Sequence, residues 1–164
     1  MKDMIAAHDE AAKASGARIV FSCGFDSLPS DLGVHLLQEA ARERLGASLP
    51  RVRCRVKAMQ GTASGGTVAS FQATMASVKA NPALFQDLAN PFVLTAGFTG
   101  PEQPAGNEII HDEDLDNWSG PFVMATINTK NVHRSNQLLG HSYGEDLVYD
   151  EMIFLGSEEP EAAG

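Results

Sequence analysis

Residues 51–59, RVRCRVKAM, decide the fold class. A cation occupies every odd position from 51 to 57, and Val52, Cys54 and Val56 stand between them. Successive side chains of a strand point to opposite faces, so this alternation predicts a half-buried antiparallel strand with an apolar inner face and a cationic outer face. Cys54 is therefore expected to be a core residue.

Helices are predicted on both sides of this strand. Residues 4–14 are rich in alanine and are followed by Gly16, which accepts the left-handed conformation that ends many helices. A second helix is expected from Pro29, which suits a first helical turn, to Gly46. Three further helices are predicted over residues 67–79, 83–88 and 129–142.

Short apolar runs predict the remaining strands. Residues 17–21, ARIVF, are expected to form a buried strand, and further strands are predicted over 122–127 and 147–155, with another possible at 92–95. This order favours an α+β fold, in which a mixed, largely antiparallel sheet carries helices on one face. The first helix and strand have α/β character and resemble the last helix-strand unit of a Rossmann-like domain.

Composition excludes several classes of protein. With 164 residues, 43% of them hydrophobic, the chain is long enough to bury roughly 70% of its unfolded surface. The net charge of −9 opposes binding to nucleic acid or anionic lipid, although nine of the 12 basic residues lie in the first 60. Two cysteines without CxxC spacing indicate a reducing cytoplasm, and no apolar run reaches the roughly 18 residues of a membrane span.

Residues 22–31, SCGFDSLPSD, hold the densest chemistry in the sequence. They follow a predicted strand and open a predicted helix, which is where ligands of open α/β sheets bind. The alternative is a plain turn, in which Gly24 permits a tight bend and Asp26 or Ser27 caps the helix. Cys23 is either a reactive thiol at a helix start or a small packing residue.

Two other motifs are weaker. Residues 61–67, GTASGGT, match neither G-x-G-x-x-G nor a P-loop, and Ser64 stands one place late for a hydrolase elbow; they line a site or build a turn. Residues 111–116, HDEDLD, lack the glycine and final glutamate of a calcium loop, so we predict a solvated acidic loop and no metal site.

Arg134 is the best candidate for binding an anion. It lies in residues 131–136, NVHRSN, on a predicted helix, and its guanidinium group suits a carboxylate or a phosphate. The alternative is a salt bridge from Arg134 to Glu145 or Asp146.

Three sequence blocks resemble those of saccharopine dehydrogenase-like oxidoreductases, the group that includes the trans-acting enoyl reductases. Residues 17–33 are similar to the family's "cGFDSiPsDlG" block, and residues 64–70 are similar to its "SGGT.aS" block. Residues 133–136, followed by Tyr143 and Tyr149, are similar to its "RRSN…YG…Y" block, with histidine in place of the first arginine. The blocks occur in the family's order along nearly the whole chain.

This resemblance implies a domain organisation and a function. Residues 1–24 would be the remnant of a nucleotide-binding domain, 25–156 a substrate-side and dimerisation domain, and 157–164 a flexible tail. The intact protein would be an NAD(P)-dependent oxidoreductase that reduces a C=C or C=N bond of a small molecule. This chain, lacking the Rossmann domain, would form a homodimer, bind no cofactor alone and be inactive alone; the alternative is a non-catalytic dimerisation or binding module.

Polar motifs converge at the ends of the predicted elements, and this convergence indicates which residues line the site of such an enzyme. Cys23, Gly24 and Phe25 would face the cofactor. The residues expected to bind substrate are those of the three blocks: Cys23, Asp26, Ser27, Ser30, Ser64, Gly65, Gly66, Thr67, Arg134, Ser135 and Asn136. We expect one shared cleft, although the catalytic residues themselves are not identified.

Overall fold

The computed structural model describes residues 1–61 and 64–160. Helices and strands alternate irregularly along the described chain. The helices are α1 (Lys2–Ser15), α2 (Leu28–Leu45), α3 (Gly65–Ala80), α4 (Leu84–Ala89) and α5 (Ala125–Leu138). The strands are β1 (Arg51–Val56), β2 (Ile110–Asp112), β3 (Asn117–Pro121) and β4 (Val148–Gly156).

The four strands form one mixed sheet in the order β1-β4-β3-β2. Strand β1 pairs parallel with β4, and the other two pairs are antiparallel. The predicted α+β class with a largely antiparallel sheet is therefore confirmed. The prediction that β1 is antiparallel was wrong, because alternation reveals which face is buried but not the direction of the neighbouring strand.

The core lies between the helices α2 and α5 and one face of the sheet. Val34 of α2 and Val132 of α5 pack against Val52 and Tyr149 of the sheet, and Cys54 packs at the edge of this cluster. The predicted inward orientation of Cys54 is confirmed.

The other face of β1 carries the cations, which are paired rather than free. Arg55 bonds Asp150 at 2.7 Å, and Arg53 bonds Asp112 at 3.0 Å and also Asp114. The prediction that residues 111–116 form a solvated loop was thus wrong for Asp112, which lies buried in β2. The arginines of β1 draw it in, because buried charges need partners.

Three expected strands are not formed. Residues 17–21 make no strand pairing within the described chain, and Ile19 and Val20 are 60% and 70% exposed. Their β-branched composition favours an extended backbone, but a strand also needs a neighbour with free backbone groups. Residues 122–127 form a turn and the start of α5, because a short apolar run does not by itself distinguish strand from helix. Residues 92–95 form a turn.

The helix ends follow the sequence closely. Gly16 and Gly46 adopt left-handed conformations at the ends of α1 and α2, with φ of 71° and 74°. The predictions for the second, third and fourth helices are confirmed within two residues, whereas α5 begins four residues earlier than predicted. Of the predicted tail, residues 161–164 lie outside the described residues. Within the described ranges, no helix is both long and apolar enough to cross a membrane.

Candidate functional site

Residues 22–27 form a compact turn before α2, which we call the Gly24 turn. The carbonyl oxygen of Gly24 accepts hydrogen bonds from the amides of Ser27, at 3.1 Å, and Leu28, at 2.9 Å. A Cβ atom on Gly24 would lie 2.4 Å from Oδ1 of Asp26, so the carboxylate occupies the space that a side chain would need. Ser22 enters the turn with a φ of 54°, which is uncommon for a residue other than glycine.

A buried carboxylate lies beneath this turn. Glu151 of β4 is 2% exposed, and its Oε1 accepts hydrogen bonds from Oγ of Ser30, at 2.8 Å, and Nδ2 of Asn128, at 3.0 Å. The same Asn128 amide group donates to the carbonyl oxygen of Asp26 at 3.0 Å. The Glu151 network, defined as Glu151, Asn128 and Ser30, therefore ties the Gly24 turn to the sheet and to α5.

Tyr149 and Cys54 border this network. The hydroxyl of Tyr149 donates to Oε2 of Glu151 at 3.3 Å. Burial, together with the charge of Glu151, raises the pKa of Tyr149 far above its usual range, and the same two causes raise the pKa of the Cys54 thiol. Both groups stay protonated near neutral pH, so Cys54 is a packing residue and not a nucleophile.

The Gly24 turn presents some of its residues to solvent and buries others. Cys23, Gly24, Phe25 and Asp26 are exposed, and the ring of Phe25 is 91% exposed. Ser27 occupies the cap position of α2 but is buried, and its side chain makes no capping bond. The residues predicted to face the cofactor are accordingly the accessible ones.

Ser135 and Asn136 hold parts of the fold together. Oγ of Ser135 donates to the carboxylate of Asp31 in α2 at 2.9 Å. Burial raises the pKa of that carboxyl, and the hydrogen bond from Ser135 opposes this rise. Asn136 bonds the amide of Tyr143 and the carbonyl of Gly144, at 2.9 and 2.8 Å. Their substrate contact stays a prediction.

Arg134 faces a different part of the molecule. Its Nη1 donates to the carbonyl oxygen of Leu94 at 3.0 Å, and its side chain lines a cavity of about 110 Å³ with α1, Ile19 and Phe21. Six residues along a helix correspond to about 9 Å and about one and two thirds turns, which leaves the two side chains about 120° apart around the axis. Arg134 therefore points away from the side of α5 that carries Asn128. In the described chain neither predicted partner of Arg134, Glu145 or Asp146, forms a salt bridge with it.

Residues 64–67 form the capped start of α3. Oγ of Ser64 accepts a hydrogen bond from the amide of Thr67 at 3.1 Å, and the two hydroxyls lie 3.0 Å apart. Ser64 and Thr67 thus form hydrogen bonds with each other, and the helix that α3 contacts is α4. Thr62 and Ala63 of the predicted loop lie outside the described residues. The described contacts join the first predicted block to Ser135 through α2, and Arg134 meets only the start of that block, at Ile19 and Phe21. They do not join the Gly24 turn to Arg134 or to Ser64 and Thr67.

Asn128 and Glu151 were missed by sequence reasoning. A signal is present for Glu151. Asp150 and Glu151 are consecutive in the apolar strand β4 and point to opposite faces, so one of them must be buried with a partner unless both faces are exposed. Asn128 precedes the 131–136 block and carries no motif. In the ranges that the structure describes, no group of three His, Cys, Asp or Glu side chains is placed to hold a metal ion.

The relatives of this chain among known proteins share one name. No family model matches the chain, and no solved structure matches it. A protein of Mycobacterium tuberculosis provisionally named a trans-acting enoyl reductase is 35% identical over 96% of this chain and 39% of its own length. Proteins named trans-acting enoyl reductase from Mycobacterium ulcerans and Mycobacterium leprae are 35% and 33% identical, over 91% and 94% of this chain. The chain thus has homologues with that name, and it spans about two fifths of their length.

Proposed function

We propose that this chain supplies the substrate-side part and a cofactor-facing turn of an NAD(P)-dependent reductase of the saccharopine dehydrogenase-like type. The homologues named trans-acting enoyl reductase support reduction of a C=C bond, with C=N as the related alternative. The observation that carries the proposal is the Gly24 turn, which is anchored from below by Glu151 and offers Cys23, Gly24 and Phe25 to solvent.

The residues of this turn fit a nicotinamide cofactor. An exposed aromatic ring at Phe25 suits a planar ring system. When bound, the nicotinamide would supply the hydride. Asp26 offers an exposed carboxylate that can accept hydrogen bonds from substrate or ribose hydroxyls, while Asn128 fixes its backbone carbonyl.

We further propose that the nucleotide-binding domain is supplied outside these residues, because the chain spans about two fifths of its relatives. The 164 residues alone are then expected neither to bind NAD(P) nor to turn over substrate. The substrate would be a small molecule, and Arg134 would bind its anionic group only if the substrate extends toward α1.

The first test compares two exposed phenylalanines in the whole protein that carries this chain. Phe25→Ala is expected to weaken the binding of reduced nicotinamide roughly fivefold, because an aromatic contact contributes about 1 kcal/mol. Phe85, which is also exposed, lies in α4, so Phe85→Ala is the matched control and should bind normally. Equal affinity of the two variants would remove Phe25 from the cofactor site.

A second measurement addresses the reaction itself. The whole protein is mixed with NADH or NADPH and an α,β-unsaturated thioester, and oxidation of the nicotinamide is followed by absorbance. We expect oxidation that depends on the thioester. No oxidation with either nucleotide, in a protein shown to bind one of them, would overturn the proposed enoyl reduction.

The surface of α3 favours a second role, as a homodimerisation module. Val68, Phe71 and Met75 are exposed, and no α3 residue is buried within the described part of the chain. Helices with an apolar exposed stripe normally pack against another surface. Under this alternative, the wild-type protein is a dimer and Phe71→Glu is a monomer, as measured by light scattering. A monomeric wild-type protein would contradict the alternative.

A further inference from the structure

A cavity of about 350 Å³ lies between α3, α4, α5 and the start of α1, away from the Gly24 turn. Its volume is within the range of small-molecule sites. Most of its wall is apolar, and the wall includes Val78, Leu84, Leu88, Val93, Leu94 and Ile127.

Lys130 of α5 lines this cavity and is only 7% exposed. Its Nζ donates to the carbonyl oxygens of Leu88 and Thr126, both at 2.7 Å, which leaves one of three N–H groups without an acceptor in the described chain. A lysine this buried is normally paired with an acid.

The acids around the cavity do not neutralise Lys130. Asp87 pairs with Lys2 at 2.9 Å on the surface, and Asp3 at the rim is exposed. Within residues 1–61 and 64–160 no carboxylate lies within 4.0 Å of the Lys130 ammonium group. Burial lowers the pKa of Lys130 to about 8, so the side chain is still charged in most molecules at pH 7.

Asn131 adds a second unused donor. Its Nδ2 is buried and makes no hydrogen bond in the described structure, and the residue lines the same cavity. Buried polar groups of this kind cost stability unless they find a partner. The cavity therefore combines an apolar wall with an uncompensated cation, and the unused amide donor of Asn131 lies buried in that wall.

We propose that this cavity binds a small amphipathic carboxylate, with its apolar body against the wall and its carboxylate accepting hydrogen bonds from Lys130 and Asn131. The site is separate from the proposed redox function and does not depend on it. A carboxylate supplies the counter-charge that Lys130 lacks, and its two oxygens match the two donors.

The test is calorimetric titration of the whole protein with octanoate and, separately, with octanol. We expect octanoate to bind at least about tenfold more tightly than octanol, since hydrogen bonds to charged groups contribute roughly 1.5–3 kcal/mol. Lys130→Met should remove this preference, and Lys79→Met, at an exposed lysine near the end of α3, should preserve it. Absence of octanoate binding, or equal affinity for octanoate in the Lys130 variant, overturns the proposal.

Lys130→Met leaves the carbonyl oxygens of Leu88 and Thr126 without a donor and could therefore fail to fold. In that case Asn131→Leu provides the test. We expect the Asn131 variant to bind octanoate several-fold more weakly while octanol binding is unchanged. If it binds octanoate as tightly as the wild type, or if a second copy of the chain fills the cavity and excludes octanoate, the proposed ligand class is wrong.

Discussion

Glu151 organises the candidate site at the scale of single residues. A carboxylate that is 2% exposed is tolerated because Ser30, Asn128 and Tyr149 all donate hydrogen bonds to it. Asn128 links this carboxylate to the backbone of Asp26, so the position of the Gly24 turn depends on one amide group.

Removing that amide group should be costly. In Asn128→Ala, Glu151 loses a charge-assisted bond and the Asp26 carbonyl loses its donor, so we expect the free energy of unfolding to fall by about 1–3 kcal/mol. Urea denaturation of this variant measures the loss. Asn107→Ala, at an exposed position, should change stability by less than about 0.5 kcal/mol. Equal stability of the two variants would show that Glu151 does not need Asn128.

His133 should make the protein sensitive to acid. Its ring is buried against Phe92, with centroids 4.5 Å apart, and burial lowers its pKa to about 4 from the usual 6.5. As the pH falls, the unfolded chain therefore takes up a proton at this histidine before the folded protein does. The contribution of neutral His133 to the free energy of unfolding is complete above pH 6.5 and is lost between pH 6.5 and pH 4.

His133→Leu isolates this effect. Relative to the variant, the wild type should lose up to about 3 kcal/mol of unfolding free energy across that window, measured by urea titrations at several pH values. His8→Leu, at an exposed position of α1, should leave the acid-induced loss in place. A His133 variant with the wild-type pH profile would contradict the lowered pKa.

At the scale of elements, local signals were predictable and pairing was not. The left-handed Gly46 could be predicted because glycine after a periodic helix has a local physical cause. The parallel pairing of β1 with β4 joins residues about 100 positions apart, and the failed strand at 17–21 likewise depended on a neighbour. For the same reason the Gly24 turn could be expected from its block, whereas the bonds of Glu151 to Ser30 and Asn128 could not, because they join residues far apart in the chain.

Gly33 inside α2 and Gly46 just after its end should respond oppositely to substitution by alanine. Gly46→Ala forces a side chain into a φ of 74° and should destabilise the protein by about 1 kcal/mol. Gly33→Ala lies within the helix, where no described atom is within 4 Å of the new Cβ, and should stabilise it by roughly 0.5–1 kcal/mol. Thermal unfolding measures both. Shifts of the same sign would contradict the helix end at Gly46.

At the scale of the whole molecule, charge and apolar exposure are distributed unevenly. The arginines of β1 are matched by Asp112, Asp114 and Asp150, so they do not form a free surface for phosphate. Apolar side chains are exposed instead in residues 17–21, at Phe25 and along α3. In the proposed enzyme, the first two of these surfaces would lie against the nucleotide-binding domain and its cofactor.

Exchange of backbone amide hydrogens in the whole protein tests most directly whether the Gly24 turn faces the cofactor. Peptides that cover residues 22–27 are compared with and without reduced nicotinamide, and peptides from α4 serve as the internal control. The proposed cofactor-facing turn predicts slower exchange in residues 22–27 when the nucleotide is bound, with no change in α4. Unchanged exchange in residues 22–27 at saturating nucleotide would contradict it.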